Sequence, residues 1–71
     1  MSYQIITNAD GQKTQEFKTF GEAKKQFEEE LEEWRRYFSL EKISDVFYKI
    51  WHRMERGGFM YAGSIYIKKI A

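Results

Sequence analysis

The sequence predicts an α+β domain of order ββααβ: a three-stranded antiparallel sheet covered on one face by two helices. Three observations predict it. An alternating segment with a turn signature opens the chain. Two successive stretches then carry apolar residues at helical spacing, and the closing segment is dense in β-branched and aromatic side chains.

The first eighteen positions read as a β-hairpin. Tyr3, Ile5 and Thr7 alternate with Gln4 and Ile6, and Asn8-Ala9-Asp10-Gly11 is a turn. Asn and Asp bond their own backbone there, and Gly11 accepts positive φ. A three-residue loop with Gly11 at the bulge pairs Tyr3 with Phe17 and Ile5 with Gln15. Tyr3, Ile5 and Phe17 then share the buried face.

Thr19 and Glu22 form a capping box, so a helix begins near Phe20. Phe20, Ala23, Phe27, Leu31, Trp34 and Phe38 recur at three- and four-residue steps and give one apolar stripe. Ser39 ends this helix and caps the next. The second helix is expected from Leu40 to Arg56. Leu40, Ile43, Val46, Phe47, Ile50, Trp51 and Met54 form an apolar arc of about 140° at helical spacing. Gly57-Gly58 is its stop, and Arg53 and Arg56 suit its C-terminal dipole.

Phe59 to Ile70 reads as one strand bent at Gly63; the alternative is a hairpin over Gly63-Ser64. This last strand is expected to pair with the first and place Tyr3 to Thr7 in the sheet centre. The helices are expected to meet through Phe27, Leu31, Trp34, Phe38, Phe47, Ile50, Trp51 and Met54.

Seventy-one residues make one domain, 1–71, near the lower size limit for a self-sufficient core. No cysteine is present, so neither a disulfide nor a thiolate metal site reinforces it. Six Phe, five Tyr and two Trp are more rings than so small a core readily buries, which leaves aromatic anchors for a surface. No signal peptide or membrane-length apolar run is read, and the lack of cysteine fits a reducing compartment. The expected location is the host-cell cytoplasm.

Charge is polarised. Met1 to Trp34 holds eight acidic and four basic side chains, whereas Arg35 to Ala71 holds three and eight, beneath a formal net charge of +1. Such a split orients a protein toward charged partners. On the first helix, Glu22, Glu29 and Glu33 form an acidic stripe with Glu30 and Tyr37 at its edge. These five are the candidate partner-binding residues. On the second, Lys42, Lys49, Arg53 and Arg56 fall within about 60° of one another, extended by Lys68 and Lys69. That stripe is the candidate nucleic-acid contact, with Tyr48 or Tyr66 to stack on bases.

Catalysis lacks its parts. His52 has no nucleophile in a suggestive motif, the paired carboxylates lie on one exposed helix, and no phosphate-binding glycine motif occurs. No cofactor and no metal is expected.

The run Tyr3-Gln4-Ile5-Ile6-Thr7-Asn8-Ala9-Asp10-Gly11, then Phe17 and the Glu-rich helix, resembles small proteins of phages and other mobile elements, of which anti-CRISPR inhibitors are the best-known group. The resemblance is one of layout over the first half, and it carries no site residues across. It implies a protein that binds and blocks a nucleic-acid-handling machine.

The leading expectation is therefore a non-enzymatic protein-binding module, an inhibitor of a CRISPR effector or related enzyme, occupying a basic surface with its acidic stripe. Direct nucleic-acid binding through the basic stripe is the alternative. A homodimer formed by edge pairing of the last strand is the third.

Overall fold

A computed structural model describes residues 2–70. It has five strands and one helix in the order ββαβββ: β1 (Ser2–Thr7), β2 (Lys13–Phe17), α1 (Phe20–Tyr37), β3 (Ser39–Ser44), β4 (Phe47–Arg53) and β5 (Phe59–Ile70). All pairings are antiparallel, in the spatial order β2-β1-β5-β4-β3. The α+β class stands; the three-stranded sheet with two helices does not.

The first half follows its local signals. β1 and β2 pair Tyr3 with Phe17 and Ile5 with Gln15. Asp10 and Gly11 both take positive φ in the turn, at 62° and 92°. Thr19 caps α1: its hydroxyl oxygen accepts the Glu22 N–H at 3.2 Å and its hydroxyl donates to Glu22 Oε1 at 3.0 Å. At the far end the Phe38 N–H donates to the Trp34 carbonyl at 2.9 Å, and the chain becomes extended. Ala23, Phe27 and Leu31 are the buried positions of the helix.

The expected second helix, 40–56, is instead the hairpin β3–β4 and the turn that follows. The reason lies in a pattern that fits two periods. Tyr48, Ile50 and His52 point to one face of the sheet, and Phe47, Lys49 and Trp51 to the other. Because both faces carry aromatic residues, the segment reads as a broad apolar arc when wound at 100° per residue. Its Ile, Val, Phe, Tyr and Trp content favours strands, and Ser44-Asp45 supplies the turn, with the Ser44 hydroxyl accepting the Val46 N–H at 3.2 Å. Pairing with β5 settles the choice. β4 meets β5 from Phe47↔Tyr66 to Arg53↔Phe59, satisfying backbone groups that a helix would leave bare along β5.

Gly57-Gly58 therefore stop a strand rather than a helix. Both take positive φ, at 89° and 82°, and the Met54 N–H donates to the Gly58 carbonyl at 3.1 Å. β5 is a single strand, irregular where expected: the β4–β5 register shifts between Ile50, opposite Gly63, and Trp51, opposite Tyr61. β5, not β1, is the central strand. Edge pairing through the last strand is closed over 65–66, where β1 and β4 flank it, and the outer strands of the sheet are β2 and β3.

One helix covers one face. The core holds Ile5, Ala9, Phe27, Leu31, Ile50 and Ile65, with Phe17, Trp34, Phe38, Leu40, Tyr48, Ala62 and Ile67 packed around it. Of the expected interhelical contacts, Phe27, Leu31 and Ile50 are buried, Trp34 and Phe38 flank the core, Phe47 and Trp51 lie on the opposite face, and Met54 is exposed. Beyond the ends of β1 and β3 the β4–β5 pair continues as a two-stranded arm, giving overall dimensions of 45 × 19 × 17 Å. Among the described residues, no helix is long and apolar enough to cross a membrane.

Candidate nucleic-acid interface

Among the described residues, no element is layered over the face of the sheet away from α1. Residues directly opposite one another in an antiparallel pair share a face, so the ladder assigns its occupants. Phe47 stands opposite Tyr66, which also stands opposite Ile6 of β1. Two positions along β4, Lys49 faces Ser64 on one side and Glu41 on the other. Two further on, Trp51 faces Tyr61, and at the arm Arg53 faces Phe59. On β5, Lys68 stands opposite Gln4.

This face carries two cross-strand ring pairs. Phe47 and Tyr66 lie nearly parallel, with centroids 5.3 Å apart and an interplanar angle of 13°. Trp51 and Tyr61 meet edge to face at 5.4 Å and 72°. Lys49 lies between the pairs, Lys68 beside Tyr66 and Arg53 beyond Trp51. Among the described residues, two carboxylates share this face, and each accepts one hydrogen bond: Glu41 Oε1 from the Trp51 Nε1–H at 2.9 Å, and Glu16 Oε1 from the Gln4 Nε2–H at 3.0 Å. The first bond fixes the indole plane, so the ring is presented rather than free to turn. The three cations have no ion pair among the described residues. Exposed Phe59 and Tyr61 continue the aromatic surface onto the arm, whose turn carries Arg56.

The predicted basic stripe is thus redistributed, because the helix that would have aligned it does not form. Lys49, Arg53 and Lys68 share the open face. Lys42 stands opposite Tyr48 and Lys69 opposite Tyr3, both on the helix side. Lys42 also bonds Asp45 at 2.9 Å. That hydrogen bond and charge raise the Lys42 ammonium pKa above its ordinary value and lower the Asp45 carboxyl pKa. Of the two rings offered for stacking, Tyr66 is on the open face. Tyr48 is inside, 5.9 Å from the Phe27 ring.

The acidic stripe is intact on the outer side of α1, but most of it is engaged. Glu22 belongs to the cap. Glu30 accepts Gln26 Nε2 at 3.2 Å and also Gln15 Nε2, tying the helix to β2. Glu33 lies 3.8 Å from Arg36, and Glu32 pairs with Arg35. Glu29 is exposed with no bond among the described residues, and Tyr37 is 74 % exposed at the helix end. Sequence reasoning missed Phe47, Trp51 and Tyr61 as surface residues. Alternation of large rings on both sides of Lys49 was the available signal.

Among the described residues, no group of three or more His, Cys, Asp or Glu side chains is placed to hold a metal ion. Comparison with protein-family models, with curated proteins and with solved structures gives no match to this chain.

Proposed function

We propose that this chain is a non-enzymatic binding module that holds single-stranded nucleic acid on its open sheet face. One observation carries the reading. Two ring pairs stand on the uncovered face with Lys49, Lys68 and Arg53 set among them. Every base has a π-face, so rings on a sheet bind single strands with little regard to sequence, and cations at their margins meet the phosphates. A duplex keeps its base faces stacked internally and cannot use such rings.

The test is a fluorescence-anisotropy titration of short labelled DNA and RNA single strands and of the matching duplex at low salt. Single strands should bind more tightly than the duplex, and Tyr66→Ala should weaken binding about fivefold or more, since stacking contributes about 1–3 kcal/mol per base. Absence of single-strand binding at low salt overturns the proposal.

A second reading is favoured by the exposed Glu22, Glu29 and Glu33 on the side of α1 remote from the sheet. It is the occupation of a basic channel in a nucleic-acid-handling enzyme. A pull-down from host lysate comparing wild type with a Glu29→Lys/Glu33→Lys variant separates it: loss of a captured protein supports it, and equal capture removes it.

A further inference from the structure

We propose that a cleft on the helix side of the sheet binds a methylated ammonium cation. The cleft measures about 370 Å3 and is lined by Ala9, Asp10, Trp34, Phe38, His52 and Ala62. It lies between the C-terminal turn of α1, the β1–β2 loop and the base of the arm, on the side opposite the open aromatic face. It is therefore independent of the nucleic-acid reading.

Three features select a cation. First, the walls are π-systems set at steep angles: Trp34 and Phe38 meet at 5.1 Å and 62°, and Phe38 and His52 at 5.4 Å and 84°. A cation near such rings is drawn to their negative faces, wherever those faces turn toward it. A bond between His52 Nδ1 and the Arg53 carbonyl at 3.0 Å holds the imidazole in place. Second, Asp10 is the one carboxylate of the lining, and no Lys or Arg is part of it. The loop holds Asp10 in the left-handed region, a conformation Asp tolerates better than most residues. Third, Trp34 and Phe38 belong to the last turn of α1 and its cap, where the helix dipole is negative. Arg35 and Arg36, also in that turn, pair with Glu32 and Glu33 one turn back.

Methylation follows from the rest of the lining. A bare ammonium ion is strongly hydrated and gains little among Ala9, Ala62 and three rings. N-methyl groups weaken that hydration and present apolar surface to the same walls. Two sources share this chemistry: a free quaternary amine such as choline, and a trimethylated lysine in a protein tail.

The experiment follows Trp34 fluorescence in a Trp51→Phe variant, where Trp34 is the remaining tryptophan, with chloride held constant. Choline should give a saturable change, and its neutral carbon isostere, dimethylbutanol, should bind about tenfold more weakly. Asp10→Asn should weaken choline severalfold and leave the isostere unaffected. A trimethyl-lysine peptide binding more tightly than choline, with its unmodified form silent, assigns the site to a protein tail; choline binding without peptide binding assigns it to the free amine. Amide shifts of Asp10 and Ala62 in the wild type give the same readout should Trp51→Phe disturb the fold. No saturable response to choline, or equal affinity for choline and the isostere, overturns the proposal.

Discussion

The side chain of Asn8 accepts two hydrogen bonds from Ser64, from its backbone N–H at 2.8 Å and its hydroxyl at 3.0 Å. The Asn8 N–H completes the tie by donating to the Ser64 carbonyl at 3.0 Å. The β1–β2 loop is thereby pressed onto β5 beside Gly63. A Cβ at Gly63 would lie 2.5 Å from the Asn8 carbonyl oxygen and 2.7 Å from the Ala9 Cα. This contact seats Ala9 in the core and shapes one wall of the cleft.

Gly63→Ala should accordingly be among the most damaging single changes, costing about 3 kcal/mol or more, because backbone on both sides must move. Asn8→Ala, which leaves the buried Ser64 groups short of a partner, should cost about 1–3 kcal/mol. Urea midpoints with unchanged slopes check both. A Gly63→Ala midpoint equal to wild type contradicts the close approach.

Phe27 and Trp51 should part company. Phe27 is fully buried beneath α1, so Phe27→Ala should cost about 3–5 kcal/mol. Trp51, half-buried on the open face, should cost about 1–2 kcal/mol on replacement by Ala, from the area it does cover. A buried Trp51 packed between two helices would have given a loss like that of Phe27. Paired denaturation curves distinguish the two arrangements.

Lys42 and Asp45 predict a directional pH effect. The Asp45 carboxyl is lowered from its ordinary 3.8, first by the Lys42 hydrogen bond and then by its charge. The sign follows from linkage. A group whose folded pKa is depressed contributes stability that is present above the unfolded pKa and is lost as pH falls through the folded one. The raised Lys42 contributes in the opposite sense, present below its ordinary 10.5 and lost as pH rises through the folded value. Both groups are exposed, so the effect on overall stability is small. NMR titration should place the Asp45 midpoint below 3.8 in wild type, and Lys42→Met should move it back upward. An Asp45 midpoint insensitive to Lys42→Met contradicts the pair.

Salt dependence tests which cations touch phosphate. If Lys49 and Lys68 each neutralise one, replacing both with Gln should lower the slope of log affinity against log salt by about 1.4 for a single strand. The same exchange at Lys42 and Lys69, on the helix side, should leave the slope nearly unchanged. Anisotropy titrations over a range of salt give both slopes, and equal losses for the two double variants remove the open face as the contact.

The local structure of the first half can be read from its own residues. The β1–β2 register came from Asn8 to Gly11 and the alternation around them, and α1 from the Thr19–Glu22 cap and its stripe. Each signal spans a few residues and specifies its own geometry. The single strand at 59–70, with its irregularity at Gly63, was legible for the same reason. Residues 39–53 owe their form to long-range pairing. Their apolar residues fit a helix and a two-faced strand alike, and the choice fell to pairing with β5, whose backbone groups needed a partner far away in sequence. The candidate site follows that decision. Wound as a helix, the segment aligns Lys42 with Lys49 and hides Trp51. Laid out as strands, it sets Lys49 and Arg53 among Phe47, Trp51, Tyr61 and Tyr66. Helix one keeps its acidic outer face in either arrangement, but only the sheet beneath it engages Glu30 with Gln15. The aromatic surplus was visible in composition; where it faces was not, because a strand assigns a side chain to a face only once its partner strand is in place.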